Sequence, residues 1–459
     1  MEDKTSTELR SGALGFWECF AIAVGGMVGM AIFSLSGVTF SMAGPAAVLS
    51  WILAGLIVLV YALNVAEMAT KFPRAGGIYV YPSESLGSNP VIRQLGGWLA
   101  AWSWINVTIL GTAFGAIFVA QYLGGIIPAL GKYVVPMGFL GVAFVYLLNA
   151  FGVSIMGISN LIMTGGLGLI VLIYIIVAAP HGSAANLTPF FSGTMGSSGF
   201  AASIPIAMLA YGSVIAVASA AEEIRDAKRT IPRAMGWSMV TVIIGYAVTL
   251  LVTYAILPVS QVTAGSFGYY APLHFAIAVA QLPSWLSALV SLGALLAIIT
   301  TMLVMIMDAG RTMMAMGRSG LLPKAFAYVH PKTKTPLVSL TLASAAAAII
   351  ACFPNFTSQI INTGSTTFAV LVVIIVVSVI SSRLYRKDVR AAFTAPGGYA
   401  LQIIALLTVV FSISQLQHQG VALSAWWYAI GLAYFLIRWA AGGFADVKTG
   451  SKGMKSGAA

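Results

Sequence analysis

Apolar residues along this chain fall in long, nearly unbroken runs, at roughly 14–39, 43–70, 96–127, 133–150, 158–179, 200–221, 234–257, 273–308, 336–353, 360–381, 399–416 and 423–441. Each is close to the about 20 residues that an α-helix needs to cross a hydrocarbon core. The runs lack the polar alternation of a membrane β-barrel, and lipid offers no partner to open backbone groups, so the pattern predicts an all-α integral membrane protein with about twelve spans. Two spans carry interruptions: the first contains "GGMVGMAIF" (25–33), with Gly25, Gly26 and Gly29 inside the run, and the sixth carries Tyr211-Gly212-Ser213. Spans one and six are five helices apart. Because five is odd, a second copy of a five-helix unit must sit upside down, the inverted-repeat plan of many secondary transporters. The expected organisation is a tail (1–13), a first five-helix repeat (14–179), an outer loop (180–199), a second inverted repeat with its loops (200–398), two additional helices (399–441) and a second tail (442–459).

Composition closes off the soluble alternatives. Of 459 residues 59% are hydrophobic and 8% charged, with a mean hydropathy of +0.95, which excludes a soluble globular domain. The net charge of +11 reads as membrane topology rather than nucleic-acid binding. With the N-terminus inside, 22 of the 23 Lys and Arg residues fall on inner segments, from Lys4 and Arg10 to Lys448, Lys452 and Lys455, and Lys132 alone falls outside. The positive-inside rule then puts both termini in the cytoplasm of a multi-pass plasma-membrane protein surrounded by lipid. The first run lacks a small-residue cleavage site and continues into the bundle, so it reads as a span rather than a removed signal. Cys19 and Cys352 lie in apolar runs and read as small buried hydrophobes. Trp98, Trp102, Trp104, Trp426, Trp427 and Trp439 lie near span ends and read as interfacial anchors. Asn106 and Thr112 on span three read as polar glue between helices or as part of a translocation path.

The interruptions suggest chemistry. Glycine in a helix interior costs about 1 kcal/mol relative to alanine, so three in five residues make the first span locally weak. Where a helix unwinds at the midplane, freed N–H groups and the positive end of the next half-helix hold a carboxylate, and freed carbonyls hold an ammonium or a cation. A zwitterion such as an amino acid presents both groups. Close small-residue packing between helices explains the same glycines, and the sequence leaves both readings open. The twelve acids narrow the substrate: all lie in tails, inner loops or inner span ends, including Glu18, Glu67, Glu222, Glu223 and Asp308. A carrier of multivalent cations is expected to keep a carboxylate at binding depth, so this distribution favours a neutral or internally neutralised substrate. Metalloprotease, nucleophile-elbow and Cys/His ligand motifs are absent from the sequence, so neither a catalytic nor a metal site is expected. A channel would need a filter-like loop or charged ring, and a sensor a soluble output domain.

Three stretches on the inner side, "EMATKFPRAGGIYVY" (67–81), "AYGSVIAVASAAEEIRDAKRTIPRAM" (210–235) and "GRTMMAMGRSGLLPKAFAYVHPKTKTP" (310–336), resemble the signature loops of the amino acid-polyamine-organocation superfamily of permeases. The resemblance covers nearly the whole chain. It implies the five-plus-five inverted-repeat fold of the bacterial leucine transporter plus two C-terminal helices, with alternating access to a central amino acid site. Read physically, Pro73 with Gly76-Gly77 makes a tight inner turn, Lys71 and Arg74 anchor it to the anionic leaflet, and Pro232 stops the helix that continues from Glu222 and Glu223. Glu222 and Glu223 with Arg311 and Arg318 are expected to form gating ion pairs; solvated basic loops are the competing reading.

The superfamily's glycine-hydroxyl-glycine-Ile-Phe stretch lies on Gly29-Met30-Ala31-Ile32-Phe33, where methionine and alanine depart from its pattern. Carried over in this way, the substrate-binding set is Gly26, Met27, Val28, Gly29, Met30 and Ala31 on span one, with Ala210, Tyr211, Gly212, Ser213, Val214 and Ile215 on span six. Val214 and Ile215 would line the side-chain pocket, and a small or branched aliphatic substrate fits best. The lysine that replaces a sodium ion on span five of several proton-coupled members is absent here, with Gly165, Gly166 or Gly168 in its place. Coupling candidates are Ser291, Thr300 and Thr301 for sodium, and Glu18, Asp308, His274 and His418 for protons. The expected function is a secondary transporter of a neutral amino acid, as proton symporter or exchanger; the alternatives are a cationic amino acid or polyamine carrier and a sodium-coupled symporter. Neither a cofactor beyond H⁺ or Na⁺ nor an obligatory protein partner is expected.

Overall fold

The computed structural model describes residues 8–124, 126–416 and 418–441, with backbone only for Met30 and Ser412. The tails at 1–7 and 442–459, with Lys4, Lys448, Lys452 and Lys455, and the side chain of Met30 lie outside the described residues. The chain folds into helices α1 (Phe16–Ala43), α2 (Ala47–Lys71), α3 (Gly77–Ser85), α4 (Pro90–Gly124), α5 (Val134–Ala150), α6 (Val153–Ala178), α7 (Gly196–Leu209), α8 (Ala216–Ser219), α9 (Ala227–Ile256), α10 (Phe267–Tyr270), α11 (Pro272–Val279), α12 (Ser284–Arg318), α13 (Leu337–Ala351), α14 (Thr357–Tyr385), α15 (Ala400–Ser414) and α16 (His418–Ala440). Among the described residues eight stretches are long and apolar enough to cross a membrane, the first holding α1 and α2 together, and α5, α13 and α15 add shorter apolar helices.

Packing sorts these helices into a centre and a periphery. In its most apolar window α4 is 89% buried and α12 72%, against 22% for α16, so α4 and α12 form the middle and α16 faces lipid. α1 packs between α9, α12, α7 and α6, and α14 closes against α4. On α6 the exposed Ile155, Ile158, Ile162, Leu169, Leu172 and Ile176 recur at helical spacing as an outward stripe, as a helix with one face on lipid and one on the bundle requires.

Several local expectations change. The apolar run 273–308 divides: α11 ends at Val279, Gln281 takes a left-handed conformation (φ 52), and α12 starts after Pro283 and runs on to Arg318. Pro232 sits inside α9 and ends nothing; the preceding segment ends in a tight turn at 221–223, and left-handed Asp226 opens α9. Proline is tolerated there because it forfeits one ladder bond near the helix start. Lys71 donates to Ser382 O (3.2 Å) and Arg74 pairs with Glu84, so both are held by protein rather than by a leaflet. Trp98 and Trp104 are fully buried, and Trp102 and Trp427 stack at 4.3 Å and exchange indole-to-carbonyl hydrogen bonds (2.9 and 3.0 Å), tying α4 to α16. Trp426 and Trp439 remain exposed. Cys19 is buried but Cys352 is exposed. Asn106 accepts from Thr367 (3.0 Å), joining α4 to α14, while Thr112 bonds back to Thr108 O (2.8 Å) within its own helix.

Candidate functional site

The three glycines of "GGMVGMAIF" do different things. Gly29 alone departs from helical geometry (φ −15, ψ −147) and interrupts α1. Gly25 lies against α6, where an added Cβ would meet Thr164 Oγ1 at 2.4 Å, and Gly26 lies against Ser213, at 2.8 Å from its Cβ. The packing and unwinding readings therefore both hold, at neighbouring positions. The second interruption follows α7: Ala210 and Tyr211 turn the chain into a tight 3₁₀ segment, Gly212–Ile215, before the short α8.

Side chains from two other helices, α12 and α9, take up backbone oxygens at these breaks. Thr300 Oγ1 donates to Gly25 O (3.0 Å), and Thr301 Oγ1 lies 3.3 Å from Gly25 O and 3.2 Å from Gly26 O. From α9, the Tyr246 hydroxyl donates to Met27 O and also lies 3.4 Å from Ala210 O, so one phenol ties both interruptions together. Tyr211 OH donates to Trp51 O (3.0 Å) on α2. Tyr246 was not foreseen, since a tyrosine in an apolar run carries no signal of which carbonyl it will meet. Tyr246→Phe leaves the buried Met27 carbonyl without its phenol donor, at a cost of about 1–3 kcal/mol. The expected outcome is a lower melting temperature and weaker substrate binding together, read by thermal unfolding with and without substrate.

Beside the breaks lies a cavity of about 70 Å³. Of the expected set, Gly26, Met27, Ala31 and Ala210 line it, together with Thr301 and Leu35. Val214 and Ile215 do not: both are fully buried in the 3₁₀ segment and are absent from the lining. Val28, Gly29, Tyr211, Gly212 and Ser213 are likewise absent from its lining. The apolar wall comes instead from Val107, Leu110, Gly111 and Phe114 on α4, Met305 on α12, and Ile360, Ile361 and Gly364 on α14. Thr301 supplies the single polar side chain of this lining.

The remaining coupling candidates disperse. Ser291 pairs with His274 Nε2 (2.7 Å), away from the α1 break. His418 is exposed at the start of α16. Glu18 accepts from Gly15 N (3.0 Å) and caps α1. Asp308 is fully buried; its Oδ2 accepts from Trp104 Nε1 (2.6 Å) and its Oδ1 has no hydrogen-bond partner. On span five Asn160 is fully buried beside Gly25 with neither amide atom hydrogen-bonded, whereas Gly165 and Gly168 are exposed.

The three signature stretches converge at the end of the bundle that carries the basic loops. Arg311 Nε donates to Glu223 Oε2 (2.5 Å) with both side chains at most 2% exposed, and Arg318 forks onto both oxygens of Glu222 at 3.0 Å. Glu222 also accepts from Ala75 N (3.0 Å), and Gly76 N donates to Ser219 O (3.0 Å). Left-handed Gly76 (φ 69) has to be glycine twice over, because a Cβ there would also lie 2.8 Å from Arg311 O. The chain entering α1 joins the cluster: Leu14 N donates to Glu223 O (3.0 Å), and Arg225 N to Leu14 O (2.8 Å).

An apolar helical bundle with two helices interrupted beside an internal cavity, and a buried ion pair holding one end together, is the architecture of a multi-pass membrane transporter. The chain belongs to the amino acid permease family, whose sequence model matches residues 14–442. Among its relatives are a branched-chain amino acid permease of Bacillus subtilis, 28% identical over 445 residues and covering 92% of each chain, and a methylthioribose transporter of the same organism, 27% identical with the same coverage. A chloroplastic cationic amino acid transporter of Arabidopsis thaliana is 25% identical over 85% of this chain and 68% of its own length.

Proposed function

We propose that the protein carries a neutral amino acid with a small or aliphatic side chain across the plasma membrane by alternating access. The carrying observation is the cavity wall: apolar groups surround the space beside the two breaks, and no carboxylate lines it. A cationic side chain would be desolvated there without a counter-charge, whereas an aliphatic one gains burial. In this reading the carboxylate rests on the half-helix that begins after Gly29, and the amino group faces backbone carbonyls at the breaks. Twelve spans in a five-plus-five inverted arrangement plus two, with the basic end cytoplasmic, accommodate all of these features. Transport runs as proton symport or exchange. Against sodium, the carbonyls of Gly25 and Gly26 already accept hydroxyl hydrogen bonds from Thr300 and Thr301. The Glu223–Arg311 and Glu222–Arg318 pairs act as the cytoplasmic gate.

Counterflow in proteoliposomes tests the substrate. Preloaded alanine, valine, leucine or methionine is expected to accelerate uptake of the labelled amino acid, with arginine, putrescine and methylthioribose as weak competitors; preference for arginine or putrescine would overturn the reading. An inward proton gradient is expected to drive uptake of a symporter and leave an exchanger unaffected, and a sodium gradient to do nothing in either case.

A further inference from the structure

We propose that Gly364 sets the upper size of the substrate side chain. The proposal rests on the reading that the cavity beside the two breaks receives that side chain. Gly364 lies on α14 and lines the cavity. Among the described residues it is the one buried glycine at which an added Cβ would meet nothing within 4 Å. Other such positions, Gly165 and Gly168 among them, lie at least partly open to the surroundings. A buried position with open space in front of it points into the cavity.

The other two glycines lining the cavity do not have this property. At Gly111 a Cβ would meet Met305 Sδ at 2.4 Å, and at Gly26 it would meet the Ser213 Cβ at 2.8 Å. Those two are small because a helix presses against them. Gly364 is small although nothing presses on it, and glycine is the poorest helix former after proline. The helix therefore carries a weak residue whose one local consequence is volume in the cavity. Alanine there places one methyl group in that volume, and valine places more.

Gly364→Ala and Gly364→Val in proteoliposomes test this, with competition by alanine, valine, leucine and methionine in counterflow. A pocket discriminates one methylene by about tenfold or more. The Ala variant is expected to lose about tenfold in apparent affinity for leucine and methionine and to keep alanine within about twofold; the Val variant loses valine as well. The Ala variant is also expected to unfold at no lower temperature than the wild type, because alanine is the better helix former. Gly111→Ala is the packing control and is expected to weaken every substrate together. Equal loss across the panel for Gly364→Ala, or no change in either variant, would overturn the proposal. If the wild type rejects neutral aliphatic amino acids, the substrate reading falls by itself. Gly364 is then judged on the compounds the wild type does accept, whose large-to-small affinity ratio must still drop.

Discussion

Gly29→Ala is expected to abolish counterflow uptake. An added Cβ would lie 1.5 Å from Thr301 Oγ1, 2.7 Å from Thr301 Cβ and 3.2 Å from Ala297 O, separations that no rotamer change of Thr301 relieves in full. Thr301 cannot retreat without consequence, because its hydroxyl lies within hydrogen-bond reach of Gly25 O and Gly26 O. The α1 break and α12 must therefore separate, and displacement of a site by about 1 Å costs on the order of a hundredfold in rate. Gly25→Ala is the milder comparison, since its nearest contact is the Thr164 hydroxyl at the end of a side chain. Adding Thr301→Gly to Gly29→Ala opens the space, and partial recovery of uptake is the signature of a steric cause. Uptake above half the wild-type rate in the single variant would refute the argument.

The second large effect concerns the buried pair. Arg311→Met leaves Glu223 as a buried carboxylate without its partner, and such single removals cost about 3–5 kcal/mol. Arg311→Met with Glu223→Gln removes both charges and is expected to regain much of that stability, measured by thermal unfolding in detergent. If the pair gates the pathway, the double variant folds but shifts the bundle toward the state open at the basic end, as cysteine accessibility near Ala75 would register. An unchanged conformational bias and transport rate would sink the gating role. The neighbouring Arg318–Glu222 pair is about a quarter exposed on each side, so Arg318→Met is expected to cost no more than about 1 kcal/mol.

Much of the architecture was legible without coordinates. The apolar runs foretold the long helices because each must be apolar for most of its length to lie in lipid. Tyr211-Gly212-Ser213 marked a true interruption, and the charges of Glu222, Glu223, Arg311 and Arg318 marked their own pairing, since few charges are available in this chain to satisfy one another. The run 273–308 misled because hydropathy is blind to the turn that Gln281 and Pro283 impose. Ser291 was grouped with Thr300 and Thr301 by residue type, yet ten residues of helix carry it about 15 Å along the axis, to His274 instead of the break.

The wall of the cavity was the least legible part. In a soluble protein, polarity distinguishes the face of a helix that meets solvent from the face that meets the core. Lipid is as apolar as the core, so Val107, Phe114 and Ile360 on the cavity look in sequence like Ile162 or Leu169 on the outside. The sequence by itself determined a helical membrane bundle, the place of its two interruptions and the end where its charges gather, because apolar length, glycine and charge are each local properties. Tertiary structure decided that Gly29 both breaks the helix and packs on α12 while Gly25 and Gly26 pack without breaking it, that Tyr246 joins the two breaks, and that α4 and α14 form the wall, because each depends on which helix lies opposite.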